Sequence, residues 1–182
     1  MNLRYHQERA TQAAARLLEV RGGVMSYLKL LKLLYLADRR SLLQHGRPIT
    51  FDRFVSMDHG PVLSQTYNLI VGEEQPGQRS YWREHITEPE HHEVRLLKKP
   101  TENELSAAQE RILDEVFDEF GRMGRWQLVD YVHTLAEWQD PHGSSIPISI
   151  RDVLRAGGLD DEVAEAVEND LAGEDALSRL LQ

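Results

Sequence analysis

The segment LKLLKLLYLADRRSLL, residues 28–43, places the strongest limit on how this chain can fold. Leucine and tyrosine occupy most of the circumference that a helix through this segment would have, so little polar surface remains for solvent. The segment is also too short and too charged to cross a membrane. It therefore predicts a buried helix at the centre of a mainly α-helical bundle.

Another helix precedes this segment, and both helices carry termination signals. Residues 3–20 are rich in strong helix formers, with one stripe of alanine and leucine, and glycines 22–23 end that helix. Ser26 is a favourable N-cap for the leucine-rich helix, which Gly46 and Pro48 end near residue 44. The polar side chains of this helix are expected on the narrow strip that remains: Lys29, Lys32, Arg39 and Arg40.

Residues 49–100 predict a small antiparallel β element and one more helix. The segment ITFDRFVSM, residues 49–57, alternates as a short strand does. The glycine–proline pair at 60–61 is typical of a helix start and predicts a helix over 62–71. Residues 73–100 are polar and interrupted by proline, which predicts an irregular excursion with two short strands. We expect the edges of those strands to pair with residues 51–57.

The C-terminal half is helical by its pattern. A capping box, at Thr101–Glu104 or Ser106–Gln109, starts a long helix that Gly121 ends. The segment GRMG, 121–124, is a helix stop followed by a start rather than an RNA-clamping loop, because the strands that such a loop needs are missing. Further helices are predicted over 124–138 and 149–156.

The chain ends in an acidic segment that we interpret as a helical tail, residues 159–182, following a domain over residues 1–158. Residues 1–50 hold nine lysines and arginines against three acids, a net charge of +6, whereas 157–182 hold one arginine against eight acids, a net −7. Such an end suits a basic partner, or it simply keeps a helix soluble. The apolar residues of the tail recur at every fourth position and predict one narrow buried stripe: Leu159, Val163, Val167 and Leu171.

The composition limits the compartment and the chemistry. The chain has no cysteine, which excludes disulfides, a cysteine nucleophile and cysteine-rich zinc sites, and fits a reducing compartment. It contains no apolar run of about 18 residues and no signal-peptide pattern at its start. We expect a soluble cytoplasmic protein that does not associate with membranes.

No motif predicts catalysis. His59 has only Asp58 beside it as a candidate partner for general base chemistry, so we interpret the segment HGP as a structural turn. The spacing of Asp130, His133 and Glu137 on successive helical turns is one that a metal can use, but no HExxH pattern is present. The sequence therefore favours a protein without catalytic residues, without a cofactor and without a bound metal.

A DNA-binding hypothesis rests on the two N-terminal helices. They are separated by glycines 22–23 and carry several arginines, as a helix-turn-helix module does. The difficulty is that the second helix has to be buried, which leaves no free face for a major groove. Nucleic acid is therefore a less favoured partner, although the basic N-terminal end can still contact phosphates.

Residues 28–70 resemble the Panacea domain, the family that includes Soc-type antitoxins and many phage-associated proteins. The matching features are KLLKLLY at 29–35, the turn at 46–48, the extended segment 51–57, and Gly60-Pro61-Val62 followed by Tyr67. A fainter likeness continues at LVDYVHTLAEW, which includes a histidine and a tryptophan. The chain departs from the pattern just before GPV, where Met57-Asp58-His59 stand in place of an aromatic residue and a glycine.

The resemblance implies a mostly helical antitoxin that neutralises a co-encoded toxin by direct binding, with no catalytic residues. Two alternatives stay open: an adaptor that delivers the toxin to a AAA+ protease, and a DNA-binding regulator of its own operon. Self-association is also open. We predict that the partner meets the acidic tail and the exposed residues of the motif, with these candidates for contact: Tyr35, Asp38, Arg39, Asp58, His59, Tyr67, His133 and Trp138.

Overall fold

The structure is a computed structural model that describes residues 4–72 and 80–180. Those residues form eight helices and five short strands, so the prediction of a mainly α fold with a small antiparallel β element is confirmed. The elements in chain order are α1 (Gln7–Arg21), β1 (Val24–Ser26), α2 (Tyr27–His45), β2 (Phe54–Met57), β3 (Gly60–Leu63), α3 (Ser64–Val71), α4 (Tyr81–His85), β4 (Glu93–Arg95), α5 (Ala107–Phe120), α6 (Arg125–Val132), β5 (Ile146–Ile148), α7 (Ile150–Ala156) and α8 (Asp161–Leu180).

Helix α2 lies at the centre of the core, as its leucine pattern predicts. Helices α1, α5 and α6 and strand β3 pack around it. Burying one leucine side chain contributes about 1.5–3 kcal/mol, so this helix is a main source of stability. The leucines of α2 that are almost fully buried are Leu30, Leu31, Leu33, Leu34, Leu36 and Leu42.

Two lysines of α2 do not lie on a solvent-exposed strip, and that prediction is wrong. Lys29 is 8% exposed and Lys32 is 0% exposed. Each ammonium donates a hydrogen bond to a main-chain oxygen of a neighbouring element: Lys29 to Gly121 at 2.6 Å and Lys32 to Pro61 at 2.9 Å. The long alkyl chains pack within the core while the charged ends find carbonyl acceptors.

Helix α1 begins at Gln7, later than predicted, and ends as predicted. Gly22 has φ 96° and its N–H bonds to Leu18 and Glu19, the left-handed termination that glycine favours. The predicted N-cap of α2 is wrong in its chemistry. Ser26 belongs to β1, and its hydroxyl accepts no hydrogen bond in the described part of the chain.

A β-hairpin replaces the predicted helix start at residues 60–61. Strand β3 pairs antiparallel with β2, and Asp58 and His59 form the turn between them. Gly60 has φ 91°, which this tight return of the chain needs. Helix α3 then begins at Ser64, where the Asp52 carboxylate accepts the N–H groups of Gln65 and Thr66 at 2.9 and 2.8 Å. A cap from outside the helix therefore takes the role that the sequence suggested for proline.

Strand β5, which the sequence did not predict, pairs with β2 to complete a three-stranded sheet in the order β3-β2-β5. Both edge strands carry a proline within them. Pro61 pairs with Ser56, and Pro147 pairs with Val55. Proline has no N–H to donate, so neither edge is a good template for a further strand.

The predicted strands after residue 80 are only half correct. Residues 73–79, at the start of that excursion, lie outside the described residues. The first strand is instead helix α4, because the Ser80 hydroxyl accepts the N–H of Arg83 at 3.2 Å and caps it. The second is β4, but it pairs with β1 rather than with residues 51–57. Positive φ angles at His91 and His92 turn the chain into it.

The C-terminal helices follow the sequence with two changes, one in α6 and one in α8. Ser106 and Gln109 form the capping box of α5, as one of the two predicted boxes. Helix α6 ends at Val132 rather than near 138, because the chain breaks into turns in which the Thr134 hydroxyl bonds the Tyr131 carbonyl at 2.7 Å.

Helix α8 buries a narrow stripe, but the predicted stripe is partly wrong. Val163 is 43% exposed, while Ala164 and Leu171 are buried in the same core as α2. The helical period of 3.6 residues places Ala164, rather than Val163, in line with Val167 and Leu171. Among the described residues, no helix combines the length and the hydrophobicity needed to cross a bilayer.

Candidate partner-binding site

The tip of the β2–β3 hairpin meets the segment that follows α6. The indole Nε1 of Trp138 donates to the Met57 oxygen at 3.1 Å, and the Gln139 N–H donates to the Ser56 hydroxyl at 3.2 Å. Two segments that are distant in sequence therefore form one surface. We call it the hairpin surface and define it by six residues: Asp58, His59, Arg125, Trp126, His133 and Trp138.

Aromatic contacts organise the hairpin surface. The His133 and Trp138 rings stack with centroids 4.0 Å apart. His59 meets Trp126 edge to face with centroids 5.4 Å apart, and the Arg125 guanidinium carbon lies 5.5 Å from the centre of the Trp126 ring. Trp126 is nevertheless 52% exposed. Tryptophan and arginine are the residue types that most often dominate the energy of protein interfaces.

The hairpin turn is fixed by the loop that precedes β5. The Asp58 carboxylate accepts the N–H of Gly143 at 2.9 Å. His142 and Gly143 have φ angles of 50° and 82°, which turn the loop back toward the hairpin. The Asp58 and His59 side chains are otherwise exposed. The turn therefore offers one carboxylate and one imidazole to solvent in a fixed position.

A buried ion pair lies beneath this surface. Glu137 is 5% exposed, and its Oε1 accepts hydrogen bonds from the Tyr35 hydroxyl at 2.8 Å and from Arg39 Nε at 2.6 Å. Burial, together with the nearby Glu137 charge, raises the pKa of Tyr35, so its hydroxyl keeps the proton that it donates. The pair anchors the segment after α6 to the central helix.

Lys32 and Gly60 form a second anchor beneath the hairpin. Burial lowers the pKa of Lys32 to about 7, although its ammonium donates to Pro61. A Cβ at Gly60 would lie 2.5 Å from Val132 Cγ2, closer than such atoms approach, and 3.4 Å from both Lys32 Nζ and His133 Cδ2. Only glycine fits between the hairpin and α6 at this position.

Four of the eight residues predicted to contact a partner meet at the hairpin surface. These are Asp58, His59, His133 and Trp138. The Nε2 of His133 is buried and has no hydrogen-bond partner in the part of the chain that the structure describes. Arg39 lies directly below, half-buried against Glu137.

The other predicted residues do not join this surface. Tyr35 and Asp38 are 0% exposed and cannot reach a partner in this conformation. Asp38 instead orders the loop after α2, because its carboxylate accepts hydrogen bonds from the N–H groups of Ile49 and Thr50 and from the Thr50 hydroxyl. Tyr67 lies on α3, partly buried against the core.

Sequence reasoning did not identify four residues that build or support this site: Arg125, Trp126, Lys32 and Glu137. Trp126 is an exposed aromatic residue directly after a glycine helix start, and that pattern could have marked it. Glu137 and Lys32 gave no local signal. Their partners are far along the chain, with Tyr35 lying 102 residues from Glu137, and a polar side chain reveals its burial only in the folded protein.

The metal-site spacing considered for Asp130, His133 and Glu137 is not realised as successive turns of one helix. Helix α6 ends at Val132, and Glu137 is held by Tyr35 and Arg39. Within residues 4–72 and 80–180, no three His, Asp or Glu side chains come together as a group that could hold a metal ion.

The helix-turn-helix interpretation meets the expected obstacle. Helix α2, which would have to enter a DNA groove, is buried along most of its length between α1, α5 and α6. It has no free face of the kind that a recognition helix presents.

A mainly helical scaffold that presents an aromatic and charged surface is the class that fold and site define. The family model described as "Antitoxin SocA-like, Panacea domain" matches residues 30–139, more than half of the chain. The chain belongs to this Panacea-domain family. The matched segment starts within α2 and ends at Gln139, so it contains the whole hairpin surface. Neither a comparison with curated proteins nor one with solved structures returned a match.

Proposed function

We propose that this protein is an antitoxin that neutralises a toxin encoded beside it by binding it directly, without catalysing a reaction. The observation that carries the proposal is that the antitoxin-family match, residues 30–139, encloses the hairpin surface. The surface includes an exposed tryptophan, Trp126, in contact with His59 and Arg125. The protein acts by occupying the toxin, so inhibition is stoichiometric.

The arrangement of the hairpin surface supports tight binding. Its side chains are held by stacking and hydrogen bonds before any partner arrives, as shown by the Trp138–Met57 bond and the His133–Trp138 stack. Preorganised side chains lose less conformational entropy on binding. A surface of this kind suits a partner that must be held continuously.

Recognition through side chains also follows from the sheet. The edge strands β3 and β5 contain Pro61 and Pro147, so a partner cannot readily add a strand there. The partner must then meet the hairpin tip and the α6 side chains themselves. Specificity lies in exposed residues that can vary while the core stays constant.

Coexpression with the adjacent open reading frame tests the proposal. The adjacent product is expected to stop growth when expressed alone and to be harmless when this protein is present in excess. Replacing Trp126 by Ala is expected to abolish rescue, because it removes the exposed anchor of the surface. Leu97→Ala is the matched control, since Leu97 is also 52% exposed but lies outside the hairpin surface.

Two outcomes would contradict the proposal. One is an adjacent gene that is harmless on its own, and the other is a toxin that stays lethal when it is saturated with this protein. Measuring the toxin level in the rescued cells separates the alternatives. A toxin that persists in a complex indicates masking, a toxin that disappears only when an ATP-dependent protease is present indicates an adaptor, and a toxin whose transcript falls indicates a regulator.

Methionine methyl NMR locates the interface without a structure of the complex. Met57 lies in the hairpin, whereas Met25 is 3% exposed in the core. With ¹³C-methyl methionine, addition of the purified toxin is expected to shift the Met57 signal and leave the Met25 signal in place. A shift of neither signal on formation of a complex would place the interface elsewhere.

A further inference from the structure

A groove separate from the hairpin surface lies where the C-terminal end of α1, the start of α2 and the turn between α5 and α6 meet. Its volume is about 510 Å³, within the range that accommodates several side chains of a ligand. We call it the basic groove, and the residues that define it are Val20, Arg21, Lys29, Phe117, Arg122 and Met123.

The apolar part of the basic groove is accessible. Val20 is 52% exposed although it is a large aliphatic residue near the end of a packed helix. Phe117 and Met123 are partly buried and rest on the hydrophobic core. A ligand with aliphatic side chains would therefore find both an exposed contact and a fixed floor.

The charged part of the basic groove carries a single sign. Arg21, Lys29 and Arg122 line it, and no acidic side chain does. Burial, and then the like charge of Arg21, lowers the pKa of Lys29. Among the nearest acids along the chain, Glu19 pairs with Lys99 and Glu119 with Arg40. Asp118, next to Phe117, is exposed but does not line the groove. Within the lining of the groove, no carboxylate therefore balances the positive charges.

We propose that the basic groove binds an acidic amphipathic helix of a protein partner, with aliphatic side chains on Val20, Phe117 and Met123 and carboxylates on Arg21 and Arg122. Charge complementarity selects an acidic occupant, and the apolar floor selects one that also carries leucine-like side chains. Neither group of contacts alone would specify this combination.

Two other occupants fit less well. The acidic helix α8 of a second copy lacks a free apolar stripe, because Ala164 and Leu171 are buried in the core of their own chain. Three of its acids, Asp161, Glu168 and Glu174, also pair with arginines of that chain. Nucleic acid would gain from the arginines but not from the apolar floor, and the net charge of −9 opposes its approach. Both occupants are distinguishable outcomes of the experiment below.

The test uses a fluorescein-labelled synthetic helix with leucine at i, i+3, i+4 and i+7 spacing and glutamate on the other face. Adding the full-length protein is expected to raise the fluorescence anisotropy of the labelled peptide. Peptide binding is also expected to shift the methyl NMR signal of Met123 and to leave the Met57 signal unchanged. The two control peptides carry lysine in place of glutamate, or glutamine in place of leucine. Both are expected to bind at least about tenfold more weakly.

Variants locate the binding. Arg21→Glu and Arg122→Glu, both at exposed positions, are each expected to weaken peptide binding by about tenfold. Arg53→Glu is the matched control, an exposed arginine that lines a different groove, and it is expected to leave the affinity unchanged. Far-ultraviolet circular dichroism confirms that each variant is folded.

Four results would overturn the proposal: no anisotropy change with the acidic peptide, equal binding of the lysine peptide, displacement of the peptide by duplex DNA, or self-association that Arg21→Glu abolishes. The outcome is independent of the proposed function. A peptide that binds while coexpression fails to rescue growth leaves the basic groove in place and removes the antitoxin role. Rescue of growth without peptide binding leaves the antitoxin role in place and removes the proposal for the basic groove.

Discussion

Trp138 and Met57 are 81 residues apart in sequence and are joined by a hydrogen bond of 3.1 Å from the indole N–H to the main-chain oxygen. This bond connects the segment after α6 to strand β2, so two distant parts of the chain form one rigid surface. The other described links between the chain after α6 and the hairpin are the Gln139–Ser56 and Asp58–Gly143 bonds and the β2–β5 ladder.

Replacing Trp138 by Phe tests this connection. Phenylalanine keeps an aromatic ring for the stack on His133 and loses the N–H, so the free energy of unfolding is expected to fall by about 1 kcal/mol. Rescue of growth in coexpression should weaken as the hairpin loses its position. Urea unfolding gives the first quantity. Trp126→Phe, at an exposed ring, is the control and should keep wild-type stability.

The buried Glu137 gives a larger predicted effect. Glu137→Gln leaves the half-buried Arg39 guanidinium without its counter-charge, and we expect a loss of about 2–4 kcal/mol in the free energy of unfolding. Tyr35→Phe removes only one neutral donor to the same carboxylate, and its expected cost is about 1 kcal/mol. Denaturant titration of both variants and of the double variant measures the coupling. Equal effects of the two single changes would contradict the assignment of a charged pair.

Gly60 and Gly143 distinguish two reasons why a position needs glycine: its backbone conformation and the close packing around it. Both have positive φ, 91° and 82°, but a Cβ at Gly60 would press on Val132 whereas one at Gly143 would meet nothing within 4 Å. Gly143→Ala should therefore cost about 1–2 kcal/mol from backbone conformation alone. Gly60→Ala should cost about 2–4 kcal/mol because packing strain adds to it. Thermal unfolding of the two variants makes the comparison, and similar midpoints would disprove the close packing.

Lys32 predicts a pH dependence of stability. Its pKa lies at about 7 in the folded protein against 10.5 for the unperturbed group, so between these values the unfolded chain binds the additional proton. The free energy of unfolding should therefore rise with pH across this window, by up to about 1.4 kcal/mol per pH unit from this group, and fall as the pH returns to 7.

The measurement for Lys32 is urea unfolding from pH 7 to 10.5 for wild type and Lys32→Met. Subtracting the two curves isolates the contribution of Lys32, because the other titrating groups are common to both. Lys98→Met, at an exposed lysine, is the control and should keep the wild-type slope. A Lys32→Met curve parallel to that of wild type would mean that the buried ammonium stays charged throughout.

The helical part of the fold was predictable because its information is local. The leucine pattern of α2, the glycine after α1 and the capping box of α5 each lie within one element and specify it there. The errors arose where distant residues decide. Gly60-Pro61 suits a helix start as well as a strand, and only pairing with β2 and the Asp52 cap on α3 selects the hairpin.

The residues of the candidate site were also predictable only in part. His133 and Trp138 were identified from the family pattern and His59 from a departure beside it, and the fold brings the three together. Tyr35 belongs to the pattern and Asp38 lies in the same resembling segment, but both belong to the scaffold, because such a segment contains buried and exposed positions alike. Trp126 was missed since it lies outside the residues on which the resemblance rests.

The prolines of the two edge strands have a consequence for how this protein behaves at high concentration. When many copies of a protein are close together, exposed strand edges commonly nucleate fibrils. Pro61 and Pro147 leave the three-stranded sheet without an N–H at the centre of either border. A reserve of free molecules can therefore build up without this sheet seeding their polymerisation.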